Sequence, residues 1–264
     1  MDSIEVRVRS RRAPIHERRL SAVTQATVSV CGRFVQVSSP ELFAERFHVD
    51  EVAVLQPRVS EYNIAPSAQV LAVVDLMPDH RVLMQMRWGL VPSWARDASQ
   101  GARLINARAE TIAVKPSFRQ SFKKRRCILP VDGFYEWQAV PGRSKKQPMF
   151  IRRRDGEPFA FAGLWETWRD GSNSDVSEIV TCAIVTTSAN AVMEPVHSRM
   201  PVMLAEKCWD HWLDPTNEDT DAVNNSLEGD KVNALEMWPV STLVNNARND
   251  GPLLVERAEP ETLF

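Results

Sequence analysis

Four short segments hold the residue types that do chemistry. Cys31 stands in Val30-Cys31-Gly32-Arg33-Phe34. An interior cysteine offers only its thiol. A cysteine at a chain terminus adds an α-amine two carbons away, and the pair can condense with an aldehyde to a Schiff base and then a five-membered thiazolidine. With 30 residues written before it, Cys31 is interior as the sequence stands. Asn106-Ala107-Arg108-Ala109-Glu110-Thr111 places an amide, a guanidinium and a carboxylate at alternate positions, which on a strand would share one side. Asp132-Gly133-Phe134-Tyr135-Glu136-Trp137 sets a glutamate between aromatics, a dry setting that raises a carboxyl pKa toward neutrality and suits it to proton shuttling. Pro195-Val196-His197-Ser198-Arg199-Met200-Pro201 holds a histidine and an arginine two residues apart between stiffening prolines. His197 is the best general acid or base of the chain. The last three segments also have plainer readings: a charge-paired surface strand, an exposed strand glutamate, a structural histidine.

Cations and aromatics accompany these segments. Arg33, Arg87, Arg103, Arg108 and Arg199 lie in or near them, and Lys123-Lys124-Arg125-Arg126 is a dense basic run. Trp88, Trp94 and Trp137 are candidate stacking platforms. Phosphate neutralisation combined with base stacking is what a single nucleic-acid strand requires. The plainer alternatives are a solvated helix end for the basic run and core positions for the tryptophans.

Elements that would position these groups follow from local pattern. Phe34–Val37, Val70–Val74, Val82–Met86, Cys127–Pro130, Met149–Ile151, Phe159–Ala162 and Ile179–Val185 read as strands. Pro40–His48, the stretch after Arg108, Ser117–Lys124 and Ala205–Leu213 read as helices, and 214–230 as an acidic surface loop with a short helix. Irregularly spaced strands with few helices between them predict an α+β fold, one domain on a largely antiparallel sheet.

Composition narrows the class. With 44% hydrophobic and 25% charged residues and a net charge of −2, the chain is an ordinary globular sequence, so any anion-binding surface is a local patch. Residues 1–29 carry six arginines against three acids and few large apolar side chains, which predicts a disordered extension. Cys31, Cys127, Cys182 and Cys208 are scattered, without metal-site or disulfide-framework spacing. No 18-residue apolar run and no signal-peptide core occurs, so a reduced, cytoplasmic setting is expected. Phosphate-loop, dinucleotide-fold, zinc-protease and α/β-hydrolase motifs are all missing from the sequence.

Taken in order, nine segments resemble the SOS response-associated peptidase (SRAP) family, the abasic-site processing proteins. They are Cys31–Phe34, Tyr62–Pro66, Arg87–Trp94, Ile105–Thr111, Arg126–Trp137, Lys145–Pro148, Gly163–Glu166, Thr186–Asn190 and His197–Pro201. The resemblance covers Cys31 to about Leu254, which sets expected boundaries of 1–30 for an extension, 31–254 for the domain and 255–264 for a tail. It implies a barrel-like sheet with flanking helices. It also implies a sensor of abasic sites in single-stranded DNA, nucleoid-associated when bound to DNA, that works as a monomer without metal or cofactor.

By the same resemblance Cys31 is the nucleophile that cross-links the ring-opened sugar. Asn106 positions it, Glu136 promotes ring opening and proton transfer, and His197 assists Schiff-base formation or its reversal. Arg33, Arg108 and Arg199 match phosphate contacts, and Trp94 a stacking position. The chain departs from the family at its start. The family cysteine follows the initiator methionine, whereas Cys31 follows Val30. Two expectations would restore its amine: a true start at Val30 read from a GTG codon and then trimmed, or a leader removed autocatalytically. A thiol peptidase using Cys31, Glu136 and His197, whether on other chains or only on its own N-terminal segment, is the alternative function. A non-covalent single-strand binding module is a third.

Overall fold

The run Gln69–Met77 has no polar face over its first half: Val70, Leu71, Ala72, Val73 and Val74 are all fully buried. Such a strand must be covered on both sides, and this requirement organises the molecule. The computed structural model describes residues 31–54, 61–170, 178–228 and 235–258. The extension expected over 1–30 and the end of the expected tail, 259–264, lie outside the described residues.

Among the described residues the strands are β1 (Phe34–Gln36), β2 (Glu51–Ala53), β3 (Glu61–Ile64), β4 (Gln69–Met77), β5 (His80–Trp88), β6 (Asn106–Arg108) and β7 (Arg126–Val131). They continue with β8 (Gly133–Gln138), β9 (Gln147–Arg153), β10 (Phe159–Trp168), β11 (Ile179–Ser188), β12 (Arg199–Pro201) and β13 (Leu235–Pro239). Short helices α1 (Pro40–Arg46), α2 (Arg119–Lys124), α3 (Trp209–Leu213) and α4 (Thr220–Asn225) complete the α+β fold.

Strands β5, β4, β7, β10 and β11 pair in that order and antiparallel. The ring then closes because β11 runs parallel to β5, with Thr181 opposite Arg87 and Cys182 opposite Trp88. Alternation assigns the two faces. Val70, Ala72, Cys127, Leu129, Phe159, Phe161, Cys182 and Ile184 fill the inside, while Leu71, Val73, Ile128, Ala160 and Ala183 face the helices. A second, antiparallel sheet runs β13-β9-β8-β1-β3. Its Phe34 and Phe134 join the ring's interior, and its Val35 and Tyr135 pack on a separate cluster with Val240, Val244 and Leu254. Gly133 opens β8 because a Cβ there would lie 2.2 Å from the Phe150 ring.

Several helical expectations contract. Helix α1 starts where predicted, with Ser39 as N-cap and Pro40 in the first turn. It ends at Arg46 instead of His48, which is left-handed at φ 55°. After Arg108 there is a 3-10 turn, Ala109–Thr111, rather than a helix. Strand β6 therefore stops at Arg108, and Glu110 does not share a strand with Asn106. Helix α2 starts at Arg119, not Ser117, and Ala205–Leu213 divides into a 3-10 turn (Glu206–Cys208) and α3. Past the expected boundary at Leu254 the chain still packs: the Ala258 N–H donates to the Pro239 carbonyl, and Val255 accepts from the Trp238 indole.

The basic run divides: Lys123 and Lys124 are exposed in the last turn of α2, a solvated helix end, whereas Arg125 and Arg126 turn inward. Arg126 is 2% exposed, and it donates to the carbonyls of Phe122, Lys123, Trp212, Asp214 and Asn217. These are orphan carbonyls at the C-terminal ends of α2 and α3, where a cation is favoured. Arg125 pairs with the buried Glu166 at 2.7 Å.

Candidate active site

Strand β8 alternates, so Tyr135 and Trp137 turn to the outer cluster while Phe134 and Glu136 point toward the ring. Glu136 is therefore dry, at 1% exposure, but not because of the aromatics beside it in sequence. Its dryness comes from the interior that closes over the opposite face. Cys31, equally buried, belongs to that interior cluster. The Cys31 backbone N–H donates to Glu136 Oε1 at 2.6 Å, across 105 residues of sequence.

Among the described residues no cation pairs with this carboxylate. Burial pushes the Glu136 pKa up to about 7, against the smaller opposing effects of the Cys31 and Trp137 N–H groups and the charge of Lys146. The Cys31 thiol is raised well above its ordinary value, first by burial and then by the negative charge of Glu136. The arrangement thus presents the nitrogen of Cys31 to a proton acceptor and disfavours a thiolate. Cys31 also holds a left-handed φ of 47°, uncommon for any residue but glycine.

His197 follows a turn in which its N–H donates to the Met193 carbonyl. Its Nδ1 accepts the Arg199 N–H at 3.1 Å, which fixes the ring and leaves Nε2 for substrate. It is half-buried, and its pKa is lowered by that burial and by the charges of Lys146 and Arg199. Both effects disfavour the imidazolium form. The β8 strand and the His197 loop are tied directly, since Gln138 Nε2 donates to the Pro195 carbonyl at 3.2 Å.

Asn106 and Arg108 enter through β6, which runs parallel to β11 with Asn106 opposite Ile184 and Arg108 opposite Thr186. On its other side β11 carries β12, with Arg199 opposite Ser188. The end of β11 thus gathers Arg108, Glu110 and Arg199. Arg199 is held by a bidentate pair with Glu110, at 2.8 and 3.0 Å, and by the Thr186 carbonyl. Arg108 is exposed. Arg33 is fixed beside Cys31 by Asn63 Oδ1 and the Val244 carbonyl, both at 2.8 Å.

The three tryptophans separate. Trp88 is fully buried against Phe34 and donates to the Ile105 carbonyl, so it is core and not a platform. Trp137 is half-buried and bonded to Asn245 Oδ1. Trp94 is 62% exposed. Its loop is pinned where Gly89, at φ 127°, meets Gly101 backbone to backbone; a Cβ on Gly89 would lie 2.6 Å from the Gly101 oxygen. Three residues escaped the sequence reading of the site: Gln138, Asn63 and Lys146. Asn63 gathers the carbonyls of Val244, Asn246 and Asn249 beside Arg33. A lone polar residue near a chemical motif was the available signal.

A ring of strands with a buried carboxylate facing a cysteine backbone nitrogen places the chain among single-domain α+β proteins. The family model described as SOS response associated peptidase (SRAP) matches residues 30–247, and the chain belongs to that family. It is 39% identical over 227 residues to the abasic site processing protein YoqW of Bacillus subtilis, covering 86% of this chain and 99% of the relative. It is 31% identical over 233 residues to the abasic site processing protein YedK of Escherichia coli, with 86% and 99% covered. The fold matches a crystal structure of a protein from Bacteroides thetaiotaomicron with a TM-score of 0.75 at 24% identity, covering 87% of this chain and all of that one.

Proposed function

We propose that the protein captures abasic sites in single-stranded DNA as a covalent adduct on Cys31, once the bond before Cys31 is cut or the chain starts there. The observation that carries this reading is the 2.6 Å contact between the Cys31 nitrogen and Glu136. The family match that begins at Val30, and the relatives named as abasic site processing proteins, point the same way.

As a terminal amine that nitrogen has an ordinary pKa near 8. Burial raises the Glu136 carboxyl toward that range, so a proton can pass between the two. Glu136 takes the ammonium proton, and the freed lone pair attacks C1′ of the ring-opened sugar. The two protons left on nitrogen pass to the C1′ oxygen, relayed through Glu136 and His197, so that it departs as water and the neutral Schiff base forms while the ammonium proton stays on Glu136. The Cys31 S–H then adds across C=N: sulfur bonds to C1′, its proton goes to nitrogen, and the thiazolidine closes. Asn106 orients nitrogen and sugar, Arg33, Arg108 and Arg199 hold the backbone, and Trp94 stacks a base.

A thiol peptidase needs the sulfur activated. Here the thiol is raised and the base faces the nitrogen, which weighs against that alternative.

The test uses protein released so that Cys31 is residue one, mixed with a single strand carrying one abasic site. A denaturing gel should show a slow band whose mass is protein plus strand less one water, absent in Cys31→Ala. No adduct from protein with a verified Cys31 terminus overturns the reading. Intact-mass measurement of the protein from its own host should lack residues before Cys31.

A further inference from the structure

The loop between β8 and β9 carries Arg143, Ser144, Lys145 and Lys146, and with Thr242 it lines a cavity of about 410 Å³. Among the described residues no carboxylate lines it. Lys145 and Lys146 are exposed and form no ion pair among the described residues. The lining thus offers the exposed cations Lys145 and Lys146, with Arg143 beside them, and two hydroxyls able to donate to an oxygen anion.

The cavity is joined to the active site from two sides. Lys146 adjoins the last rung of the β8–β9 ladder, Gln138 opposite Gln147, and Glu136 lies two residues further along β8. Its charge reaches both Glu136 and His197. The opposite wall belongs to the segment that follows β13. There the Val240 carbonyl accepts from Gln147, Val244 holds Arg33, and Asn245 holds Trp137. The one segment from Val240 to Asn245 therefore ties the cavity to Arg33, beside Cys31.

We propose that this cavity is a phosphate subsite, which takes a backbone phosphodiester flanking the abasic nucleotide, with Lys145 and Lys146 as its principal ligands. The inference rests on the reading that the protein binds single-stranded DNA. It adds a phosphate-binding position on the five-stranded sheet to those expected from Arg108 and Arg199 on the ring.

The test measures binding of a short abasic single strand to the full chain by fluorescence anisotropy over a range of salt, in a Cys31→Ala background that cannot cross-link. Lys145→Ala/Lys146→Ala should weaken binding about 3- to 10-fold and reduce the salt slope by about 0.7 for each phosphate no longer neutralised. Lys207→Ala, on a remote exposed turn, serves as the charge control. In a series of strands with one neutral methylphosphonate each, one linkage near the abasic site should weaken the parent and leave the double variant unchanged. Affinity and slope equal to those of the Lys207→Ala control, with the parent binding normally, overturn the subsite alone. A parent that binds no single strand overturns both readings.

Discussion

Among the described residues two glutamates are buried, and their surroundings differ in one respect. Glu166, on β10, faces a cation: Arg125 lies at 2.7 Å, with Ser121 Oγ and the Thr167 N–H completing its shell. Glu136, on β8, meets N–H groups and no paired cation among the described residues, and its pKa climbs to about 7. A paired carboxylate fastens α2 to the ring. An unpaired one stays ready to take and return a proton, at a cost to the fold. The difference sets apart a carboxylate that is neutralised by a partner from one whose pKa burial raises, without reference to sequence motif.

The strongest break is Glu136→Gln in the protein that begins at Cys31. It keeps the shape and hydrogen-bonding capacity but removes the proton acceptor. The adduct rate should fall about 10²- to 10³-fold, read from single-turnover time courses on denaturing gels.

Stability should move the other way. In the chain that retains residues before Cys31, the folded Glu136 binds a proton that the unfolded one has released between pH 4.5 and about 7. Stability therefore declines as pH rises through that window. Glu136→Gln should abolish the decline and stabilise the full chain at pH 8 by on the order of 3 kcal/mol. Denaturant titrations at several pH values measure it, and a destabilised variant would contradict the assignment. Glu166→Gln should instead destabilise by about 2 kcal/mol, because it leaves Arg125 without its partner in a half-buried site.

A gentler change asks whether the solitary carboxylate needs help. His197→Ala should slow adduct formation about 10- to 100-fold with little effect on melting temperature. Loss of the imidazole should leave binding of an intact strand unchanged, as measured by anisotropy. Smallest of all, Gln138→Ala cuts the tie to the Pro195 carbonyl and should cost about 1 kcal/mol of stability with a several-fold loss of rate.

Much of this was legible in the chain. Apolar and β-branched runs announced the strands, though not that several are buried on both faces, and Glu136 announced a raised carboxyl. The flanking aromatics are not the cause of that rise, since neighbours in a strand point to opposite faces, and Tyr135 and Trp137 dry a different cluster. Arg126 misled because a guanidinium in a basic run looks solvated until two helix ends converge on it. Short strands such as β6 and β12 exist only through their pairing with β11, and no local pattern foretells a parallel closure. The Cys31–Glu136 pairing, so distant in sequence, lay beyond any spacing rule.

The backbone at Cys31 stores strain in the bond that precedes it. Its φ of 47° is a torsion defined by the carbonyl of the preceding residue. Holding a non-glycine residue there costs about 1 kcal/mol. Cut the bond before Cys31 and the torsion ceases to exist, so the strain has no counterpart in the product. A cut at that bond would release about 1 kcal/mol of backbone strain, which rejoining the ends would have to restore.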